Sequence, residues 1–174
     1  MKNILTINLI ISIYMIYSLN TLSGQCSGTL ILNNNNDLEN YIQNNPNCRY
    51  FKGTVHLKND FSDVDRFFGA FDTIESVIIQ DSKLDSFIVP LTKEIGKYFI
   101  HDNVSLSKIN LRSNSEGGSI DIASNERLTS MSLSFNRIYI YYVKTDTLLD
   151  IEIERDAQIY HHVTNGNIVY SGKK

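Results

Sequence analysis

Four kinds of segment are missing from this 174-residue chain. No run of basic residues occurs in it, and the formal net charge is −3, so nucleic acid is not an expected partner. After residue 24, no stretch is apolar enough over about 20 residues to span a bilayer. No glycine-rich phosphate loop is present, because Gly117-Gly118 is typical of a turn, and the Gly-x-Ser-x-Gly element of serine hydrolases is absent.

Histidine is scarce and never occurs at metal-ligand spacing. The four histidines are His56, His101, His161 and His162. The adjacent pair would point to opposite sides of a strand, and no cysteine or carboxylate accompanies it at the spacing of a zinc site. We therefore expect neither a bound metal nor a cofactor.

The apolar start of the chain predicts a secretory leader. Lys2 supplies a positive charge, the run Ile4–Leu19 is largely apolar, and small residues up to Gly24 suit a cleavage site. Residues 1–24 are thus predicted to be a signal peptide and residues 25–174 a single secreted, extracellular domain with no membrane span. The alternative is an uncleaved signal anchor that retains the protein at the membrane.

Secretion would favour two covalent modifications. Cys26 and Cys48 are the only cysteines, and in an oxidising compartment such a pair is most often a disulfide. Two free thiols are the expectation for a cytosolic protein. Asn103-Val-Ser105 is the only N-glycosylation sequon and falls in a predicted turn, so Asn103 is a candidate glycan site.

A hydrophobic phrase returns about every 22 residues. It reads Leu84-x-x-Phe87-x-Val89, Leu106-x-x-Ile109-x-Leu111, Leu128-x-x-Met131-x-Leu133 and Leu148-x-x-Ile151-x-Ile153. The leading leucines are 22, 22 and 20 residues apart. A repeat of this length is typical of a solenoid, in which each turn of the chain buries its apolar edge by stacking on the next.

The repeat also assigns faces to the strand that precedes each leucine. Positions eight and six before the leucine are predicted to point inward: Tyr98, Ile100, Ile120, Ile122, Ile140 and Tyr142, with Ile78 in the first repeat. Positions nine and seven before it are predicted to point outward: Glu75, Val77, Lys97, Phe99, Ser119, Asp121, Tyr139, Tyr141, Ile159 and His161. Three positions before it, Asp81, Asn103, Asn125 and Thr145 are predicted to form a polar ladder at a turn.

The outward stripe mixes aromatic and charged residues, which suits protein recognition better than catalysis. The candidate ligand-binding face consists of Lys97, Phe99, Asp121, Tyr139, Tyr141 and His161. The alternative is that these residues are ordinary surface, or are covered by another domain or subunit.

The beginning of the domain has a different pattern. A strand is predicted over Gly28–Leu32, followed by a helix over Asp37–Gln43 that Asn36 would cap. A second strand is predicted over Lys52–Lys58 and a second helical stretch over Asp63–Thr73. The first strand and helix would cover the open end of the solenoid.

In this order and spacing, the motifs resemble a receptor L domain, the ligand-binding repeat of insulin-receptor and epidermal-growth-factor-receptor ectodomains. The resemblance rests on Cys48-Arg-Tyr-Phe-Lys-Gly53-Thr-Val55-His-Leu57, on Phe67-x-x-x-Phe71-x-x-Ile74-x-Ser76-x-Ile78, and on the segments Ile100–Leu106 and Ile122–Leu128. It spans Cys26 to Val169 and is most similar to small secreted L-domain proteins of nematodes. No cysteine follows Cys48, which departs from the usual pattern of the family.

The resemblance implies a mainly β, right-handed, β-helix-like or leucine-rich-repeat-like solenoid with a short N-terminal capping helix. It also implies a secreted binding module, without catalytic activity, whose partner is an extracellular protein, a peptide or a receptor ectodomain. One alternative is a ligand-free structural or degenerate receptor fragment. Another is a secreted β-helix enzyme acting on polysaccharide, although such enzymes cluster carboxylates and the candidate ligand-binding face has Asp121 alone, flanked by Phe99 and Tyr141.

Overall fold

The computed structural model describes residues 24–144, 150–154, 158–159, 163–164 and 168–169, and the side chains of residues 24–112 and 118–134. Residues 1–23 of the predicted leader lie outside the described residues, and its last residue, Gly24, is the first residue of a strand. The fold is mainly β, and its strands pair in parallel. Neither helix in the described part of the chain is long and apolar enough to cross a membrane.

Two helices lie near the start of the described chain, α1 (Asn35–Asn44) and α2 (Val64–Ala70). The strands are β1 (Gly24–Leu32), β2 (Cys48–Asn59), β3 (Thr73–Ser82), β4 (Ser86–Ile88), β5 (Glu94–His101), β6 (Lys108–Ala123), β7 (Ser130–Lys144), β8 (Asp150–Glu154), β9 (Gln158–Ile159), β10 (Val163–Thr164) and β11 (Ile168–Val169).

The two long strands, β6 and β7, link two strips of parallel strands. Strip 1 contains β1, β2, β3, β5, residues 118–123 of β6 and residues 138–144 of β7, in that order. Strip 2 contains β4, residues 108–112 of β6, residues 130–134 of β7, β8 and β11. Strand partners are separated along the chain by approximately one repeat, so successive repeats lie side by side.

The core is built from equivalent positions of neighbouring strands. In strip 1, Ile79, Ile100 and Ile122 are register partners and are fully buried, as are Tyr98 and Ile120. The leading leucines of the first three hydrophobic phrases and the apolar residues that follow them are also buried. The inward positions predicted for Tyr98, Ile100, Ile120 and Ile122 are therefore confirmed, whereas Leu148 and the side chains of Ile140 and Tyr142 lie outside the described ones.

In the first repeat, the predicted faces of Val77 and Ile78 are wrong, whereas Glu75 is exposed as predicted. Val77 is fully buried and Ile78 is half-buried on the outer surface, the reverse of the prediction. The register pairs Val77 with Tyr98, and these two are one residue closer in sequence than the leucines Leu84 and Leu106. One residue fewer between the strands exchanges the faces of Val77 and Ile78, because side chains alternate along a strand.

A register shift also changes the positions on β7. Ile140 pairs with Ile120 as predicted, but Asp121 pairs with Tyr142 and Ile122 pairs with Val143. The register partner of Asp121 is thus Tyr142 and not Tyr141, and the side chains of both tyrosines lie outside the described ones. An extra residue in one strand of a pair is a β-bulge, and it shifts every later partner by one.

The N-terminal disulfide is confirmed, since Cys26 and Cys48 are bonded across β1 and β2. Helix α1 begins earlier than predicted because Asn34, not Asn36, is its cap: the Asn34 side chain accepts hydrogen bonds from the backbone N–H groups of residues 36 and 37. Arg66 joins α2 to α1 by donating two hydrogen bonds, of 2.6 and 3.0 Å, to Glu39.

Helix α2 is shorter than the predicted stretch Asp63–Thr73. Asp63 caps it by accepting a hydrogen bond of 2.9 Å from the Arg66 backbone N–H, and Phe71 ends it in an extended conformation. The helix buries Phe67 and Phe68, and Phe71 packs edge-on against Phe51 of β2. This aromatic cluster fills the core beneath the first repeats.

The predicted polar ladder exists, with Ser82 in place of Asp81. The amide of Asn103 donates to Asn125 Oδ1 at 2.9 Å and accepts from the Ser82 hydroxyl at 2.7 Å. Asp81 instead precedes the ladder, in the left-handed conformation (φ 51°). Ser82 and Asn103 are 21 residues apart, whereas Leu84 and Leu106, which follow them, are 22 residues apart. The position three residues before Leu84 is therefore Asp81, and the ladder residue is the next one, Ser82. Thr145 lies outside the described residues.

The predicted glycan on Asn103 does not fit this geometry. The side chain is fully buried, and its Nδ2 also donates to the carbonyl oxygens of Ile79 (3.0 Å) and His101 (2.8 Å). N-glycosylation would attach a bulky group to this nitrogen and remove the ladder. The sequon correctly marked a turn, but the turn side chain points into the protein.

A second ladder, of charged residues, lies at the other end of strip 1. Asp72 accepts hydrogen bonds from Arg49 at 2.9 and 2.8 Å and from Lys93 Nζ at 2.7 Å. Asp72 and Lys93 immediately precede β3 and β5, and Arg49 lies at the start of β2, so the ladder ties together three successive repeats. The Arg49 hydrogen bonds, followed by that of Lys93, lower the pKa of the Asp72 carboxyl to about 2.

Replacement of Asp72 by asparagine is expected to lower the free energy of unfolding by about 1 kcal/mol at pH 7, a value reduced for solvent screening because half of the side chain is exposed. A depressed folded pKa stabilises the fold above the unfolded pKa, near 4, and this contribution is lost as pH falls towards 2. Urea unfolding at pH 7 and at about pH 2.5 measures both values. Asp85→Asn, at an exposed carboxylate, is the control; an equal loss in both variants at pH 7 would contradict the prediction.

Candidate binding face

The outer surface of strip 1 carries one continuous row of mostly apolar residues. The central row consists of Ile31, His56, Ile78, Phe99 and Asp121, which are register partners on five adjacent strands. Ile31 is 51% exposed and the other four are half-buried. With strands about 4.8 Å apart, the row is about 19 Å long.

Hydroxyl groups and one lysine flank the central row on its N-terminal side. Thr54, Ser76, Lys97 and Ser119 are register partners two residues before the row; Lys97 is exposed, whereas Ser76 is buried. Three of these four side chains are short, so this flank is flat. Lys97 is the one long, positively charged side chain among the four. An apolar centre beside a polar flank is the usual arrangement of a protein-binding surface.

A histidine borders the row on its other side, next to the carboxylate at the end of the row. His101, two residues after Phe99, has Nε2 at 3.1 Å from Asp121 Oδ1, and both side chains are about one-third exposed. The next strand places Gln80 Nε2 at 3.4 Å from Asp102 Oδ2. Gln80 and His101 are register partners two residues after Ile78 and Phe99, so polar side chains border the row on this side.

Burial keeps one member of the row neutral. The pKa of His56 is lowered, first by desolvation and then by the nearby charge of Lys58. A histidine with a lowered pKa is uncharged at pH 7, so His56 contributes a neutral ring between Ile31 and Ile78. The row from Ile31 to Phe99 consequently carries no charge at neutral pH.

The structure brings together three of the six residues predicted for this face. Lys97, Phe99 and Asp121 lie on adjacent strands β5 and β6. Tyr139 pairs with Ser119 through its backbone, and Tyr141 is the extra residue at the register shift; their side chains lie outside the described ones. His161 also lies outside the described residues.

Sequence reasoning missed Ile31, His56, Ile78 and His101. The first two lie on strands that precede the leucine repeat, and they are further apart in sequence than the later period would place them. Ile78 was assigned to the wrong face. His101 could have been found, since it is the next alternate residue after Phe99 on the same strand.

A cleft of about 440 Å³ lies elsewhere, between the start of α2 and β4. Its lining includes the carboxylates Asp63, Asp65 and Asp85 together with Lys83 and Ile88. Within the part of the chain that the structure describes, no group of three histidine, cysteine or acidic residues could hold a metal ion. The central row is the stronger candidate because its apolar and polar groups form one continuous surface.

No family model, no curated protein and no solved structure matches this chain.

Proposed function

We propose that this chain is a secreted extracellular module that binds a protein or peptide ligand, or a receptor ectodomain, through the central row and its flanks. The observation that carries the proposal is the row itself, an uncharged stretch from Ile31 to Phe99 on an open sheet surface. Exposed apolar surface that is continuous and bordered by polar groups is typical of protein interaction sites.

The architecture proposed to support this face is a right-handed solenoid similar to a receptor L domain. In its favour, parallel strands pair at intervals of approximately one repeat, and β6 and β7 each belong to both strips. Connections between parallel strands of one sheet are right-handed in the great majority of proteins. Helix α1 would then be the capping helix at the N-terminal end.

Secretion is part of the proposal. It is supported by the apolar leader pattern and by the Cys26–Cys48 disulfide, because disulfides persist mainly in oxidising compartments. We further propose that the module is not catalytic. Asp121 lies beside His101 at 3.1 Å, whereas glycoside hydrolysis uses a pair of carboxyl groups.

Replacement of Ile78 and Phe99 together by threonine is expected to weaken partner binding by about thirtyfold or more, since one well-packed anchor contributes about 2 kcal/mol. Threonine is favourable in strands, so the sheet should be retained. A binding screen of the secreted protein against a library of extracellular proteins provides the partner, and surface plasmon resonance then gives the affinity of each variant.

Leu91→Thr/Val104→Thr is the matched control, because Leu91 and Val104 are exposed apolar residues (62% and 60%) in turns outside the strands of both strips. The control should bind like the unmodified protein. Equal affinity of the folded Ile78→Thr/Phe99→Thr variant would show that the binding face lies elsewhere. A screen without any partner at micromolar concentration would favour a ligand-free structural fragment.

A further inference from the structure

Strip 2 has a basic lane beside a lane of serines on its outer surface. On β6, Lys108 is exposed and Arg112 is half-buried, and Leu111 between them is fully buried. Their register partners on β7 are Ser130 and Ser134. Lys108 and Arg112 therefore lie beside a strand whose outward positions carry the short side chains of serine.

The next strand places acidic residues on the opposite edge of the serine lane. In the register of β7 and β8, Ser130 pairs with Asp150, Ser132 with Glu152 and Ser134 with Glu154. The basic and acidic lanes are two strand spacings apart, or about 9.6 Å. At one level along the strands, the order across strip 2 is therefore Lys108, Ser130 and Asp150. At the other level it is Arg112, Ser134 and Glu154, so both levels run from basic through serine to acidic.

This order is complementary to itself. Two copies of strip 2 can face each other across a twofold axis that is parallel to β7. This axis places the basic lane of one copy opposite the acidic lane of the other, and each residue keeps its level along the strands. Lys108 of one copy is then opposite Asp150 of the other, and Arg112 is opposite Glu154. A twofold axis perpendicular to the strands would instead place like charges together, so the charges select one arrangement.

We propose that a second copy of this chain docks face to face on strip 2, with the serine lanes on the twofold axis. The short serine side chains allow close approach, and opposite charges align at both edges and both heights. The five strands of strip 2 contribute three, five, five, five and two residues, and at about 4.8 Å by 3.3 Å per residue they define a face of roughly 300 Å² per copy. This is below the standard interface size, so the dimer is weak, reversible and sensitive to salt. The binding face on strip 1 stays free, and the two proposals are independent.

Sedimentation velocity of the full chain, expressed in a secretory host, tests the proposal over a range of protein concentrations. We expect concentration-dependent dimers at about 20 mM salt and a dissociation constant at least about tenfold weaker at about 500 mM. Lys108→Glu/Arg112→Glu makes both edges acidic, and Asp150→Lys/Glu154→Lys makes both edges basic. Each variant alone should remain monomeric, and an equimolar mixture of the two should form one-to-one complexes.

Lys52→Glu/Lys58→Glu changes the net charge as much as the first variant does, but on strip 1, and should dimerise like the unmodified protein. Circular dichroism confirms that each variant is folded. A protein that stays monomeric at low salt and high concentration would overturn the proposal. So would folded charge variants that dimerise normally on their own, or a mixture that forms no complex.

Discussion

Truncation of Leu106 to alanine is expected to lower the free energy of unfolding by about 2–5 kcal/mol, the range measured for buried leucines. Leu106 is fully buried, and its equivalents Leu84 and Leu128 in the neighbouring repeats are buried as well. The truncation would leave a cavity between these repeats that the surrounding strands cannot fill without disturbing their parallel pairing. Urea unfolding followed by circular dichroism measures the loss.

Val104→Ala is the matched control for Leu106→Ala. Val104 lies in the same turn, two residues earlier, but is 60% exposed, so its truncation should change stability by less than about 0.5 kcal/mol. A loss at Leu106 as small as that at Val104 would mean that the leucines are not stacked core residues and that the register of the repeat is different.

Replacement of Asn103 by alanine is expected to lower the free energy of unfolding by about 3–5 kcal/mol, because several buried groups lose their partners at once. The Ser82 backbone N–H (3.0 Å) and hydroxyl (2.7 Å) lose an acceptor. The Ile79 and His101 carbonyl oxygens and Asn125 Oδ1 lose a donor at 3.0, 2.8 and 2.9 Å. The same unfolding experiment applies.

Asn40→Ala provides the control for this asparagine. Asn40 is exposed on α1, where alanine is the better helix former, so the change should be neutral or slightly stabilising. Asn103→Asp separates the two functions of the amide, since a carboxylate retains the acceptors but cannot donate to the carbonyl groups. A stability of Asn103→Ala within about 0.5 kcal/mol of the unmodified protein would show that the ladder is not buried.

The periodic part of the chain was the most predictable. Ile100, for example, pairs with Ile79 and Ile122, which lie about one period before it and one period after it. Its burial therefore follows from the spacing alone, without knowledge of the rest of the fold. The disulfide was equally predictable, because Cys26 has Cys48 as its only possible partner within the chain.

Turn lengths limited the prediction of the candidate face. The step along the chain from β3 to β5 is one residue shorter than the step from β5 to β6, and the step from β1 to β2 is longer than either. A single residue more or less exchanges inward and outward positions, which is why Val77 and Ile78 were reversed. The register shift on β7 could not be predicted either. Nothing in the local sequence of Tyr141 and Tyr142 shows which of the two pairs with Asp121.

The sequence by itself determined a mainly β chain, the stacked apolar core positions of the later repeats and the single disulfide, since each depends on a period or on a unique pair. Only the tertiary structure decided that Asn103 is buried, that His101 lies against Asp121, and that the row from Ile31 to Phe99 is continuous. These properties depend on which residues are neighbours across strands. Neighbours across strands follow from the register, and the register is fixed by the packing of all the repeats together.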